Sequence, residues 1–234
     1  MIPLRDTIPA QRLSLVNWLL IAANVVVFFF EVSLGRRLEP FLYTYGVLPE
    51  RFLAVGGLGE WLTLFSSMFL HAGWWHLASN LLALFIFGDN VEDRMGHLRY
   101  LLFYLLCGAA AGLVHIYTNA GSSVPTIGAS GAISGVLGAY LILFPTARVV
   151  TLVPFFFLPW FVEVPALIYL GLWFLSQLLN GLFALGVGYQ AYGGVAWWAH
   201  AGGFVAGMLL VTIFARRRPQ PRASWRYPGD YGRW

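Results

Sequence analysis

Two side chains stand out because their types could do chemistry in surroundings that are otherwise apolar. Ser130 lies in a Gly-Ala-Ser-Gly stretch (128–131) at the start of an apolar run, and His200 lies within the apolar run 195–203. Ionisable side chains inside a membrane are costly and usually face a functional cavity. A neutral imidazole about 3 Å from a serine hydroxyl can take its proton and so activate it as a nucleophile. The pair predicts covalent catalysis, with Ser130 as the nucleophile and His200 as its base.

A second polar set precedes the serine. His76 and Asn80 are four residues apart and therefore share one face of a helix. An imidazole and a carboxamide on one face can donate two hydrogen bonds to a developing oxyanion. His71 lies five positions before His76 and points elsewhere. The alternative for His76 and Asn80 is a structural one, in which they form hydrogen bonds between helices.

The sequence offers His200 no obvious carboxylate partner. Between residues 94 and 229 the only acidic residue is Glu163, which falls in or near a loop on the predicted cytoplasmic side. We therefore expect a Ser–His dyad rather than a triad. Packing and a hydrogen bond to a non-acidic group would then orient the imidazole.

Composition indicates where this chemistry takes place. Hydrophobic residues make up 59% of the 234 residues and charged residues only 10%, against about 25% charged in an average soluble domain. The chain is therefore predicted to be an all-α polytopic membrane protein. The net charge of +4 comes from arginines at the ends of apolar segments, so no nucleic-acid partner is expected. The sequence has no CxxC or HExxH motif, and we expect no metal, nucleotide or other cofactor.

Six segments are apolar enough to span or nearly span a bilayer: roughly 15–33, 74–88, 99–118, 129–145, 165–185 and 196–215. The fourth is short, because its regular apolar stretch runs only from about Gly131 to Phe144. Its length of roughly 21 Å would leave its head roughly 9 Å below the outer face of the hydrocarbon core. Irregular backbone at that depth is tolerated when it lines an aqueous cavity. We therefore predict a pocket, open to the outside, with residues 128–131 at its floor.

The arginines predict the orientation of these spans. With six spans, eleven of the fourteen arginines fall on the side of both termini, which places the termini in the cytoplasm, in a bacterial inner membrane. The predicted organisation is a cytoplasmic N-terminal tail (1–14), a membrane core (15–215) and an Arg-rich cytoplasmic tail (216–234). Residues 35–60 form a half-apolar loop that we expect at the membrane interface.

Taken together, these residues resemble the rhomboid family of intramembrane serine proteases. The matching pieces are His71, His76 and Asn80, then Val-Glu-Asp-Arg-Met-Gly at 91–96, then Gly-Ala-Ser-Gly at 128–131, then Ala199, His200, Gly203 and Gly207. The resemblance covers roughly residues 15–215 and implies a six-helix bundle of the bacterial type with a short central fourth helix.

The resemblance also implies an activity, which is peptide-bond hydrolysis in transmembrane protein substrates. Ser130 would attack the carbonyl, His200 would transfer the proton, and His76, Asn80 and the backbone N–H of Ser130 would hold the oxyanion. The first loop would be embedded in the membrane, and the fifth span with its preceding loop would gate the lateral access of substrate. Glu92 and Arg94 match a structural motif of the family.

Two positions depart from patterns seen in the family. The first loop lacks the frequent Trp-Arg pair, since Trp61 is followed by leucine and threonine. Ser134 stands where some members carry an aromatic residue that stacks on the catalytic histidine.

Three alternatives remain at this level. One is a catalytically inactive rhomboid-like protein that binds membrane clients. Another is a haem or metal protein that uses His71, His76 and His200. The third is a transporter with its substrate at a broken helix.

Overall fold

The computed structural model describes residues 2–155, 158–187 and 195–216. Four helices are long and apolar enough to cross a membrane: α1 (Leu15–Ser33), α7 (His97–Thr118), α9 (Ala166–Val187) and α10 (Trp197–Phe214). They coincide with four of the six predicted spans. The described chain is therefore mostly helical, as expected for a multi-pass membrane protein.

The other two predicted spans have a different form. The second falls in α5 (Trp74–Ala83), a π-helical turn (Leu84–Gly88) and α6 (Asp89–Met95). This segment forms a pair with Leu58–Phe69 that is bent by 84°, and the pair could count as a fifth span. The fourth falls in α8 (Ser130–Leu143), an apolar helix of 14 residues that is shorter than the spanning helices.

Short helices connect α1 to α5. A 3-10 turn at Gly35–Arg37 leads into α2 (Leu38–Tyr45), α3 (Pro49–Val55) and α4 (Leu58–Ser66), which ends in a second turn at Ser67–Phe69. The predicted interfacial loop 35–60 thus contains helical structure, and its position relative to a bilayer remains a prediction.

The buried face of the first helix contains polar residues beside the apolar Leu20 and Phe28. Asn17, Asn24 and Glu31 are buried at intervals of seven residues, while Val26 and Phe29 are exposed. Polar side chains in a membrane helix face the interior of the bundle, where they find partners. The buried carboxylate of Glu92 accepts hydrogen bonds from the backbone N–H groups at the start of this helix, at 3.0 and 2.7 Å. This contact agrees with the structural role predicted for Glu92.

The described residues also contain a three-stranded antiparallel sheet, ordered β1 (Ile2–Asp6), β2 (Arg148–Phe155) and β3 (Leu158–Pro165). The all-α prediction omitted it. Two of its strands lie in the predicted loop between the fourth and fifth spans, and the third lies in the predicted N-terminal tail. Since β1 and β2 are more than 140 residues apart, no local pattern links them.

The centre of the bundle is α8, which packs along α7 and α10. Its residues from Gly131 to Tyr140 are all buried. Glycines allow α8 and α10 to touch through their backbones. A β-carbon on Gly203 would fall 2.0 Å from the carbonyl oxygen of Gly131, and one on Gly207 would fall 2.0 Å from that of Gly135. The backbones of the two helices are thus in direct contact at these glycines and cannot come closer together.

Of the predicted Arg-rich tail, 216–234, only Arg216 lies within the described residues. Its backbone N–H donates to the carbonyl oxygen of Arg94 at 2.9 Å, which joins the end of α10 to the end of α6.

Candidate active site

Ser130 and His200 lie within hydrogen-bonding distance of each other. Ser130 is the first residue of α8, and His200 lies in the first turn of α10. The serine Oγ is 2.8 Å from Nε2 of the imidazole. The close backbone contact between α8 and α10 accounts for this distance, because it brings one helix start beside the other.

The backbone two residues before the serine has a positive φ angle. Gly128 has φ of +128°, which side-chain-bearing L-residues rarely adopt. Its N–H donates to the carbonyl oxygen of Ser67 at 2.9 Å, which holds the turn against the end of α4. Because Ser130 starts the helix, its backbone N–H belongs to the first turn, whose N–H groups have no intrahelical acceptor.

His76 lies across from the serine, beside Gly128. A β-carbon on Gly128 would fall 2.7 Å from both Cε1 and Nε2 of His76 and 3.5 Å from the serine Oγ. The backbone N–H of Ala72 donates to Nδ1 of His76 at 3.3 Å. A neutral His76 therefore carries its proton on Nε2, the nitrogen beside Gly128.

Asn80 follows one turn later on α5. Its side chain is buried, and its amide nitrogen Nδ2 has no hydrogen-bond acceptor within the parts of the chain that the structure describes. A buried donor without an acceptor costs free energy. Such a donor is suited to a ligand that brings the missing acceptor. The structure thus brings together the four predicted site residues, Ser130, His200, His76 and Asn80.

His71 is placed differently from His76. Its backbone N–H donates to both carboxylate oxygens of Glu31 at 3.2 Å. Its ring packs edge-on against the rings of Phe28 and His76. It does not line the cavity that holds the other polar residues, in agreement with the expectation that it points elsewhere.

A cavity of about 1030 Å³ contains the four site residues. Its walls come from the segment after α1, from α5, from the segment before α8 and from the start of α10. The lining residues include Arg36, Leu42, Trp75, His76, Asn80, Ile127, Ser130, Val195 and His200. The volume is large enough to hold an extended peptide segment of a few residues.

Residues of α9 and Trp197 surround the ring of His200. Nδ1 of His200 lies 2.8 Å from Oε1 of Gln177, a buried residue of α9. The ring of Trp173 lies 6.1 Å away at 33°, and that of Trp197 lies edge-on at 6.3 Å. Ser134 instead donates to the backbone carbonyl of Ser130 at 2.6 Å.

Gln177 was not among the site residues predicted from the sequence. The sequence feature that could have identified it is a carboxamide inside an apolar helix. A buried carboxamide needs a hydrogen-bonding partner in the bundle. No carboxylate is hydrogen-bonded to His200 among residues 2–155, 158–187 and 195–216.

Comparison with known proteins gives consistent matches. Residues 58–217, more than half of the chain, match the family model of the Rhomboid domain. The chain is 38% identical over 126 residues to "Rhomboid protease GluP" of Bacillus subtilis (strain 168), covering 53% of this chain and 24% of that protein. It is 29% identical over 136 residues to "Rhomboid protease AarA" of Providencia stuartii, covering 53% and 48% respectively.

A plant protein also matches part of the chain. The chain is 34% identical over 102 residues to "RHOMBOID-like protein 5" of Arabidopsis thaliana, covering 44% of this chain and 32% of that protein. The alignments thus span about a quarter to a half of the length of these relatives.

Proposed function

Because the chain belongs to the rhomboid family and is a multi-pass membrane protein, we propose that it is a serine endopeptidase that cleaves transmembrane protein substrates. The observation that carries the proposal is the 2.8 Å contact between Ser130 Oγ and His200 Nε2 inside a cavity. A serine hydroxyl is a weak nucleophile until a neighbouring base takes its proton.

The proposed reaction proceeds in two halves. Oγ of Ser130 attacks the scissile carbonyl carbon while its proton moves to Nε2 of His200. The imidazolium then gives that proton to the leaving amine, and an acyl-enzyme on Ser130 remains. A water molecule, deprotonated by His200, attacks the acyl group, and Ser130 regains its proton as the new carboxylic acid leaves.

The proposed oxyanion site has three donors. They are the backbone N–H of Ser130, Nε2–H of His76 and the amide of Asn80. The support for this assignment is the tautomer of His76 fixed by Ala72 and the buried, unsatisfied Nδ2 of Asn80. Donors fixed in advance stabilise the charge that develops in the transition state.

We also propose that α8 crosses the bilayer as the short central fourth helix, which would bring the count to six spans. Both termini would then lie in the cytoplasm of a bacterial inner membrane, with residues 35–60 at the outer interface. The distribution of arginines supports this orientation. The cavity would open to the outer side and admit the end of a substrate helix, gated by α9.

The test compares wild type with Ser130→Ala and His200→Ala in detergent or lipid, on a fluorogenic substrate with one apolar transmembrane segment. The expected result is cleavage by wild type and none above background by either variant. A fluorophosphonate probe should label wild type but not Ser130→Ala. Cleavage that persists in Ser130→Ala would contradict the assignment.

The alternative is a rhomboid-like protein that binds membrane clients without cutting them. It would be favoured if wild type binds the substrate, resists the fluorophosphonate probe and releases no product. Neither haem nor metal is required for the proposed reaction.

A further inference from the structure

The residue that orients the proposed base lies on a third helix. Gln177 belongs to α9 and is 5% exposed, in a helix whose other residues are almost all apolar. A buried carboxamide costs free energy unless its oxygen and its NH₂ group are both hydrogen-bonded. The contacts of Gln177 therefore show which way its amide points.

The NH₂ group of Gln177 has two acceptors on its own helix. It lies 3.2 Å from the carbonyl oxygen of Trp173 and 3.0 Å from Oγ of Ser176. A carbonyl oxygen can only accept, so the nitrogen must face Trp173. The oxygen Oε1 is then the atom that faces His200, at 2.8 Å from Nδ1.

This orientation determines the tautomer of His200. Oε1 accepts and cannot donate, so Nδ1 must carry a proton to make the contact. In the neutral ring Nε2 is then unprotonated, and it is the nitrogen that lies 2.8 Å from Oγ of Ser130. Nε2 can therefore accept the serine proton without any rearrangement of the ring.

We propose that Gln177 is the positioning residue of the dyad, in a chain of hydrogen bonds from Gln177 through His200 to Ser130. When Nε2 receives the serine proton, the proton on Nδ1 stays in place and Oε1 stabilises the imidazolium that forms. Gln177 touches neither substrate nor the reacting atoms, and it acts only through His200. The inference rests on the proposed protease function.

A neutral amide suits this position physically. A carboxylate behind the histidine would carry a charge into the membrane interior, where burial of an unpaired ion is costly. An amide carbonyl orients the ring and selects the tautomer without that charge. The ring of Trp173, on the same helix, lies beside that of His200, with the ring centroids 6.1 Å apart.

Three variants of the full chain separate positioning from packing. Gln177→Met keeps the length of the side chain and removes both the acceptor and the donor. Gln177→Glu keeps an acceptor oxygen for Nδ1 and lacks the NH₂ group that bonds Trp173 and Ser176. Ser176→Ala removes one acceptor of that NH₂ group and leaves Oε1 of Gln177 in contact with His200.

The proposal predicts a specific order of activities on the fluorogenic transmembrane substrate. Gln177→Met should lower kcat roughly tenfold, the usual effect of losing one such hydrogen bond, with KM unchanged. The rate of fluorophosphonate labelling should fall in parallel. Gln177→Glu should recover most of this loss in kcat, although its buried carboxyl group should lower the thermal midpoint. Ser176→Ala should resemble wild type in kcat, and Gln177→Met and Ser176→Ala should have thermal midpoints similar to that of wild type.

Two results of the activity measurements would overturn the proposal: wild-type kcat in Gln177→Met, or equal impairment of kcat in Gln177→Met and Gln177→Glu. Equal impairment would assign Gln177 a packing role through its NH₂ group. A readout independent of proteolysis is the ¹⁵N spectrum of His200, which should show a protonated Nδ1 in wild type and a mixture of tautomers in Gln177→Met. An unchanged spectrum would contradict the proposal even if the protein cleaves nothing. Failure of wild type to react with the probe would bear on the protease function alone.

Discussion

The hydroxyl of Tyr140 donates a 2.5 Å hydrogen bond to the carboxylate of Asp6, which joins the first strand to the far end of α8. Oδ2 of Asp6 also accepts from the side-chain amide of Asn90 at 2.9 Å. The helix that begins at Ser130 is thus held at its opposite end by the N-terminal strand.

Removal of this hydroxyl should destabilise the fold without reaching the dyad. Tyr140→Phe is expected to lower the free energy of unfolding by about 1 kcal/mol, because it deletes one partly buried hydrogen bond. Thermal unfolding in detergent measures the change. Tyr117→Phe is the matched control, since Tyr117 is 70% exposed. Equal midpoints for the two variants would contradict the prediction.

Asp6 should also make stability depend on pH. Partial burial raises the pKa of Asp6 above its ordinary value of 3.8, and the hydrogen bond from Tyr140 opposes this effect only in part. The folded state therefore favours the protonated carboxyl. Its contribution to stability is present at pH below 3.8 and is lost as pH rises through the raised pKa.

Asp6→Asn tests this dependence. Asparagine retains an oxygen that can accept from Tyr140 and does not titrate. We expect the thermal midpoint to change less with pH, as pH rises above 3.8, in the variant than in wild type. Identical changes would show that Asp6 does not contribute to this dependence.

The glycine contact between α8 and α10 should be intolerant of a methyl group. A β-carbon at Gly207 would meet the backbone of Gly135 at 2.0 Å, so Gly207→Ala must push the helices apart. We expect a loss of roughly 1–3 kcal/mol in stability, together with slower fluorophosphonate labelling. Gly171→Ala in α9 is the control, because its added methyl group meets no atom within 4 Å. If the fluorophosphonate probe labels Gly207→Ala at the wild-type rate, the glycine contact does not set the distance between Ser130 and His200.

The proposed oxyanion donors should affect turnover more than binding. Asn80→Ala is expected to lower kcat by about 10²–10³, with little change in KM, because the hydrogen bond is made chiefly in the transition state. Asn119→Ala is the control, since Asn119 does not line the cavity. A rise in KM at constant kcat would instead assign Asn80 to substrate binding.

The proposed orientation can be tested with introduced cysteines, because the single native Cys107 is buried. Arg37 and Arg148 are both exposed, and they lie on opposite sides of the predicted membrane. In intact spheroplasts an impermeant maleimide should label Arg37→Cys, and it should label Arg148→Cys only after permeabilisation. The reverse pattern would place both termini outside.

Hydropathy and the spacing of polar residues predicted several of the helices and four residues that line the cavity. The apolar segments 15–33 and 99–118 correspond to α1 and α7, since twenty apolar residues leave few alternatives to a helix. Ser130, His200, His76 and Asn80 were identified because each is a polar residue at the edge of or within an apolar run. The structure places them around one cavity, and their catalytic roles remain proposals.

Other features depend on contacts that sequence spacing does not encode. The pairing of β1 with β2 joins the N-terminal segment to residues beyond α8, and neither strand predicts its partner. Gln177 is a single amide among apolar residues, and only the packing of α9 on α10 shows that it faces His200. The sequence predicted a non-acidic partner for the imidazole without identifying it.

The glycine contact between α8 and α10 also has a consequence for engineering this protein. Because backbone meets backbone there, no choice of side chains along that seam can bring Ser130 and His200 closer together. Mutagenesis intended to shorten the distance between Ser130 and His200 would therefore gain nothing at those positions. The surroundings of His200 can be changed from α9 instead. There Gln177 and Trp173 approach His200 through their side chains, which can be replaced by residues of other lengths and shapes.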